Sequence, residues 1–122
     1  MKRNEFEQML IRKYGTHPEY PWKKFPTFAV FRHARNRKWF AVVMTVEKRK
    51  FGIDEEGNID VVNVKCDERI LPSFLEQTGV YPAYHMNKAH WLSLVLGETS
   101  NENLPFLADL SYHLTENNKS NV

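Results

Sequence analysis

Residues 39–46 read Trp-Phe-Ala-Val-Val-Met-Thr-Val, and this segment decides the fold class. Alternate residues of a β-strand point to opposite faces of a sheet, and here both sets are largely apolar. A strand of this kind lies within a sheet that is covered on both sides for much of its length. The alternation predicts two faces, one with Phe40, Val42, Met44 and Val46 and the other with Trp39, Ala41, Val43 and Thr45.

Shorter strand patterns lie on both sides of this segment. Residues 28–32 precede it across a mostly cationic loop at 33–38, which predicts a hairpin. Residues 51–53 and 59–65 form a second predicted hairpin around an acidic turn, and two short strands follow, the second at about 91–96. Such a series predicts an α+β fold, with one mainly antiparallel sheet of about five or six strands packed against helices.

Three helices are predicted around these strands. The first has Asn4 as its N-cap, Glu7 in the capping-box position and Gly15 at its end. The second covers about residues 67–77, although Pro72 is unfavourable inside a helix. The third begins near residue 100 or 101 and carries apolar residues at helical spacing.

Length and composition bound the class of protein. The 122 residues suffice for a single domain, which we place at 1–117, followed by a polar C-terminal tail at 118–122. The N-terminal residues carry early acids and no apolar run, which predicts no secretory signal. No segment approaches the roughly 20 apolar residues of a membrane span. With a single cysteine, Cys66, which we expect to be shielded, these features predict a cytoplasmic protein without a membrane partner.

The net charge of +2 hides a strong asymmetry. Residues 1–50 carry 13 lysines and arginines against 4 acids, a net +9, whereas residues 51–122 carry 4 against 11, a net −7. Such asymmetry is a recognised indication of a surface that faces a polyanion. The alternative is that the two halves intermix in space and the charges only solvate the surface.

Motifs of catalysis and of metal or phosphate binding are not found. The five glycines form no phosphate-binding loop. His85 and His90 are five residues apart, which fits neither one helical face nor one strand face, and Cys66 belongs to no Cys-x-x-Cys pair. We therefore expect no metal, no cofactor and no enzymatic activity.

The most informative segment is Pro-Ala-Tyr-His-Met-Asn-Lys-Ala-His-Trp at residues 82–91. Lys88 offers a cation beside His85, Asn87 and His90, a set of donors that could hold an anionic group. The structural alternative is a turn in which the Asn and His side chains bind backbone groups while Trp91 is buried in the core.

Three segments together resemble the MmcQ/YjbR family: residues 62–67 (Val-Asn-Val-Lys-Cys-Asp), residues 82–91, and residues 109–112 (Asp-Leu-Ser-Tyr). The resemblance covers essentially the whole chain. It implies a CyaY-like α+β fold and a bacterial cytoplasmic protein without established activity. It also implies a "double wing" arrangement of hairpins, which has been taken to suggest DNA binding. The related frataxin fold suggests iron, but the first helix here is not acidic, so we expect no iron.

Two functional hypotheses follow from these observations. The first is weak, sequence-nonspecific DNA binding through basic hairpin loops, by Arg32, Arg35, Arg37, Lys38, Lys48, Arg49 and Lys50. The alternative is a binding site for a small anionic ligand or a protein partner at the 85–91 turn, formed by Lys65, His85, Asn87, Lys88, His90 and Trp91. A basic patch that is continuous in space would favour the first hypothesis, and a pocket with scattered basic loops would favour the second.

Overall fold

The computed structural model describes residues 1–116, so the tail expected at 118–122 lies outside the described residues. A 3-10 turn at Lys48–Phe51 follows the second strand. The other elements, in chain order, are α1 (Arg3–Tyr14), β1 (Ala29–Arg32), β2 (Trp39–Glu47), β3 (Asn58–Lys65), α2 (Leu71–Phe74), β4 (Val80–Pro82), β5 (Trp91–Val95) and α3 (Asn103–Glu116).

The five strands form one sheet in the order β1-β2-β3-β5-β4, and every neighbouring pair is antiparallel. The predicted α+β class and its antiparallel sheet are therefore confirmed. As expected from its two apolar faces, β2 lies inside the sheet, between β1 and β3.

A β-bulge changes the predicted faces of β2. Phe31 of β1 is opposite Ala41, but the next residue, Arg32, is opposite Trp39, so Phe40 is an extra residue without a partner on β1. An extra residue breaks the strict alternation of side chains. Phe40 therefore packs on the same side as Ala41, while Trp39 packs with Val42. The prediction that Phe40 shares a face with Val42, Met44 and Val46 is wrong for this reason.

The two long helices cover one face of the sheet. Phe6 and Leu10 of α1 and Leu104 and Leu107 of α3 are fully buried there against the strands. Burying each such side chain contributes roughly 1.5–3 kcal/mol, so this face forms the main core. No described helix is long and apolar enough to cross a membrane.

Loops cover the opposite face of the sheet. Its buried residues come from the strands, and partly buried aromatic side chains from the connecting segments pack over them, among them Trp22, Phe28, Phe51 and Tyr84. Trp91, which the structural alternative for the 82–91 segment placed in the core, is only partly buried; it opens β5 opposite Lys65 at the end of β3. The loop-covered face is where the candidate site lies.

The helix ends differ in part from the prediction. The helix α1 begins before Asn4, and the backbone N–H of Lys2 donates to the carboxylate of Glu5 at 2.9 Å, so Glu5 takes the role predicted for Glu7. Gly15 ends the helix at φ +67°, as predicted. The third helix begins at residue 103, where the N–H of Asn103 donates to the Ser100 hydroxyl at 3.0 Å.

Two predicted elements are wrong. The helix expected at 67–77 is a single turn, α2, which has Pro72 in its first turn; a proline has no N–H and is tolerated only there. The strand expected at 51–53 does not form, because the chain turns at Gly52 with φ +72° after the 3-10 turn.

Candidate ligand-binding cleft

An open cleft of about 370 Å³ lies on the loop-covered face of the sheet. Strands β2 and β3 form its floor with Trp39, Val42, Met44 and Asn63, and the loop at 22–28 and the segment at 84–86 form its walls. The wall residues are Trp22, Phe25, Phe28, Tyr84, His85 and Met86.

Aromatic rings hold the 22–28 loop against the sheet. The ring of Trp22 meets Trp39 at 5.5 Å and 90° and meets Phe28 at 6.0 Å and 84°, both edge to face. Such pairs contribute about 0.5–1.5 kcal/mol each beyond their buried area. Phe25 contacts Phe28 but remains 50% exposed at the mouth of the cleft. This wall is therefore held in place by its own aromatic contacts, and part of its apolar surface remains exposed to a ligand.

A closed ring of three hydrogen bonds fixes the opposite wall. The backbone N–H of Tyr84 donates to Ser93 Oγ at 2.8 Å, the Ser93 hydroxyl donates to Asn63 Oδ1, and Asn63 Nδ2 donates to the Tyr84 carbonyl at 2.8 Å. Because a carbonyl only accepts, the Tyr84 carbonyl fixes the orientation of the Asn63 amide. Asn63 and Ser93 are 1% and 0% exposed, so two buried side chains of the sheet fix the position of the Tyr84 backbone.

His85 directly follows this anchor in a left-handed conformation, with φ +58°. A non-glycine residue held in this region costs of order 1 kcal/mol, and such residues cluster at ligand clamps and active sites. The His85 ring lies 4.0 Å from the Tyr84 ring, centre to centre. The anchored Tyr84 thus positions both His85 and Met86 on the cleft.

The structure divides the predicted residues of the 85–91 turn. His85 lines the cleft, and Lys88 lines a depression next to it. Asn87 is a turn residue whose side chain accepts the N–H of Ala89 at 2.8 Å and whose carbonyl accepts the N–H groups of His90 and Trp91. The remaining residues lie outside the cleft: His90 has Nδ1 3.8 Å from Glu68, and Lys65 is opposite Trp91 in the sheet.

The seven basic residues predicted to bind DNA fall into two separate groups. The first group lies at the β1–β2 hairpin, with Arg32 at the end of β1 and Arg35, Arg37 and Lys38 in the turn, and the second, Lys48, Arg49 and Lys50, lies in the 3-10 turn after β2. The nine residues of β2 lie between the groups, and its eight steps of about 3.4 Å span about 27 Å.

Carboxylates neutralise several of these cations. Glu19 pairs with both Arg32, at 3.2 Å, and Arg37, at 2.8 Å, and Glu55 pairs with Lys48 at 3.0 Å. The guanidinium of Arg32 also lies 5.5 Å from the centre of the Trp39 ring. Three of the seven predicted cations, Arg32, Arg37 and Lys48, are therefore paired with carboxylates, and the two groups lie at opposite ends of β2.

Cys66 is 1% exposed, as predicted, and burial raises the pKa of its thiol to about 11. Its backbone N–H donates to the carbonyl of His90. Within residues 1–116, no three His, Cys, Asp or Glu side chains gather as a metal site would require.

The prediction from sequence missed most of the cleft. Trp22, Phe25 and Phe28 lie in a proline-rich loop without periodicity, so their convergence could not be read from spacing. One signal was available, because Asn63 interrupts a run of valines on an interior strand, and a buried amide requires partners.

The family model for YjbR matches residues 11–114. The chain belongs to the YjbR family. The uncharacterised protein YyaQ of Bacillus subtilis is 39% identical over 117 residues, which are 95% of this chain and 99% of YyaQ.

Solved structures share the fold of this YjbR-family chain. A crystal structure of a Pseudomonas syringae protein superposes with a TM-score of 0.93 at 38% identity, over 95% of this chain and 100% of that one. A Deinococcus radiodurans protein with a DUF419 domain is 19% identical and superposes with a TM-score of 0.70, over 98% of this chain and 80% of that one. At that identity the similarity shows the fold alone.

Proposed function

We propose that this YjbR-family protein binds a small, mainly apolar molecule in the aromatic cleft. The observation that carries the proposal is the combination of a preformed aromatic wall with an opposite wall anchored by the Asn63–Ser93–Tyr84 ring of hydrogen bonds. The cleft volume of about 370 Å³ lies within the range of small-molecule sites, about 300–1,000 Å³.

The position of the cleft supports binding rather than packing alone. The helix-covered face is closed by fully buried side chains, whereas the loop-covered face leaves aromatic surface facing an opening. A few convergent polar groups among aromatic walls are typical of sites that orient a small ligand. A free, buried Cys66 is also typical of reducing compartments, and we propose that the protein acts in the cytoplasm.

Binding of N-phenyl-1-naphthylamine, an uncharged fluorescent aromatic probe, tests the proposal. At about 0.3 kcal/mol per non-hydrogen atom, a ligand the size of this probe gains about 5 kcal/mol of binding free energy, which corresponds to a Kd of roughly 10⁻⁴ M. The protein is titrated into a low, fixed concentration of probe, and the rise in fluorescence is followed.

Two variants locate the site. Met86→Trp replaces the methionine side chain on the partly exposed wall of the cleft by a bulkier indole ring, and we expect it to weaken binding at least about tenfold. Ser73→Trp adds the same ring at an exposed position of α2 outside the cleft, and we expect no change. A wild-type protein that does not bind the probe, or a Met86→Trp protein that binds it equally well, would contradict the proposal.

A second candidate is weak, sequence-nonspecific DNA binding of the double-wing type. Arg35, Lys38, Arg49 and Lys50 are in no ion pair within residues 1–116 and could contact phosphates. Because the two basic groups lie at opposite ends of β2, we favour ligand binding in the cleft over DNA binding.

A labelled duplex at low salt tests DNA binding. With three to six phosphate contacts, the affinity is expected at roughly 10⁻⁴ to 10⁻⁶ M and falls with salt with a log–log slope of about −0.9 per contact. Replacing Arg35, Arg37 and Lys38 together by Ala should weaken binding to all sequences alike. Binding that is unchanged in this variant would remove the basic hairpin from consideration.

A further inference from the structure

We propose that the ligand of the cleft is an organic anion with a flat apolar body, whose anionic group lies at the Tyr84–His85 end, near three lysines. This inference rests on the proposed function, because it specifies the class of molecule that the same cleft takes. The three lysines are Lys24, Lys50 and Lys88.

The cleft continues past Tyr84 and His85 into two further depressions. The first, of about 430 Å³, shares Phe25, Phe28, Tyr84 and His85 with the cleft and adds lysine side chains to its lining. The second, of about 370 Å³, shares Tyr84 and His85 with both. Tyr84 and His85 therefore stand where the aromatic cleft meets the charged depressions, so a ligand in the cleft can extend toward the lysines.

The three lysines are available for an anion. Within residues 1–116 none of them is in an ion pair, in contrast to Lys13 and Lys48, which are bound by Asp109 and Glu55. Glu47 is the single carboxylate among the residues that line the cleft and the two depressions. The three lysines are solvent-exposed, and with one carboxylate against three ammonium groups the lining carries a net positive charge that favours an anion there.

The cleft floor also presents a donor. Asn63 Nδ2 carries two hydrogens, and one is used by the Tyr84 carbonyl. The second has no partner within residues 1–116, although the side chain is buried and lines the cleft. An amide N–H and ammonium groups all require acceptors, so the polar part of the ligand must accept hydrogen bonds.

The aromatic rings do not favour a cationic ligand. A cation would bind over the faces of rings that surround it. Here the guanidinium of Arg32 already lies 5.5 Å from the centre of the Trp39 ring, and the nearby lysines would repel a further cation. The combination selects a flat apolar body with a carboxylate, sulfonate or phosphate group.

Two probes that differ by one charged group test the inference. 1-Anilinonaphthalene-8-sulfonate has the aromatic body of N-phenyl-1-naphthylamine and an added sulfonate. We expect the wild-type protein to bind the sulfonate probe about tenfold more tightly, and we expect added salt to reduce this preference. The neutral probe should bind with little dependence on salt.

A charge-matched pair of variants locates the anion site. Replacing Lys24, Lys50 and Lys88 together by Gln should weaken binding of the sulfonate probe about tenfold and leave the neutral probe within about twofold. Replacing Arg12, Arg35 and Lys38 by Gln removes the same charge outside the cleft and should leave both affinities within about twofold. Thermal unfolding checks that each variant is folded.

The outcomes separate the inference from the proposed function. If the wild-type protein does not bind the neutral probe, the proposed function fails and the inference fails with it. If both probes bind in the cleft, as judged by Met86→Trp, but with equal affinity, or with equal losses in the two charge variants, the anion inference alone is overturned.

Discussion

Replacing Ser93 by Ala tests the ring of hydrogen bonds that anchors the cleft wall. The Ser93 hydroxyl accepts the N–H of Tyr84 and donates to Asn63, and the side chain is fully buried. Its removal leaves two polar groups without a partner, the partly buried Tyr84 N–H and the buried Asn63 Oδ1. Each such group costs about 1–3 kcal/mol, so we expect the free energy of unfolding to fall by about 3 kcal/mol.

Urea unfolding of single and double variants measures this effect. Ser73→Ala, at an exposed position whose side chain makes no hydrogen bond within residues 1–116, is the matched control and should change stability by less than about 0.5 kcal/mol. Combining Ser93→Ala with Asn63→Ala should cost less than the sum of the single effects, because Asn63 Oδ1 is already unpartnered in the first variant. A loss below about 0.5 kcal/mol for Ser93→Ala, or strict additivity in the double variant, would refute the anchoring role.

Three further predictions concern the rest of the fold. Burial lowers the pKa of His33, so the neutral ring contributes stability above the unfolded pKa of about 6.5, and this contribution is lost as pH falls through the folded pKa. NMR titration of the His33 ring should give a pKa below 6.5, and a pKa at or above 6.5 would contradict the prediction. Gly79→Ala should lower the free energy of unfolding by more than about 3 kcal/mol, because the added Cβ would lie 2.4 Å from the backbone nitrogen of Thr99. Gly52→Ala, with open space around it, should lower it by about 1 kcal/mol from the positive φ alone. Equal losses of thermal stability in the two variants would contradict the prediction. Cys66 should react with a thiol reagent far more slowly in the native protein than in urea, since burial raises its pKa to about 11, and comparable rates would contradict its shielding.

The elements that could be predicted from sequence are those with a local cause. The two apolar faces of residues 39–46 placed β2 inside an antiparallel sheet, and Gly15 ended the first helix because its backbone adopts a positive φ. The bulge at Phe40 has no such local cause, because it depends on the register with β1. Pro72 indicated a problem in the second helix, and the helix is accordingly one turn long.

The cleft could be predicted only in part, because it is assembled from distant segments. The 82–91 segment was identified as informative, and His85 and Lys88 do lie at the cleft or beside it. The opposite wall comes from a loop some sixty residues earlier, and its aromatic residues have no spacing that indicates a common surface. Such convergence follows from the sheet register and the edge-to-face packing of Trp22 on Trp39, neither of which a single sequence displays.

The most direct test of the cleft is an NMR titration of the ¹⁵N-labelled protein with 1-anilinonaphthalene-8-sulfonate. The three tryptophans provide internal reporters, because Trp22 and Trp39 line the cleft and Trp91 does not. We predict saturable shifts of the indole N–H signals of Trp22 and Trp39 and of the side-chain amide of Asn63, with the Trp91 signal unchanged. Shifts centred on Trp91 or on the helix-covered face, with Trp22 and Trp39 unaffected, would contradict the account.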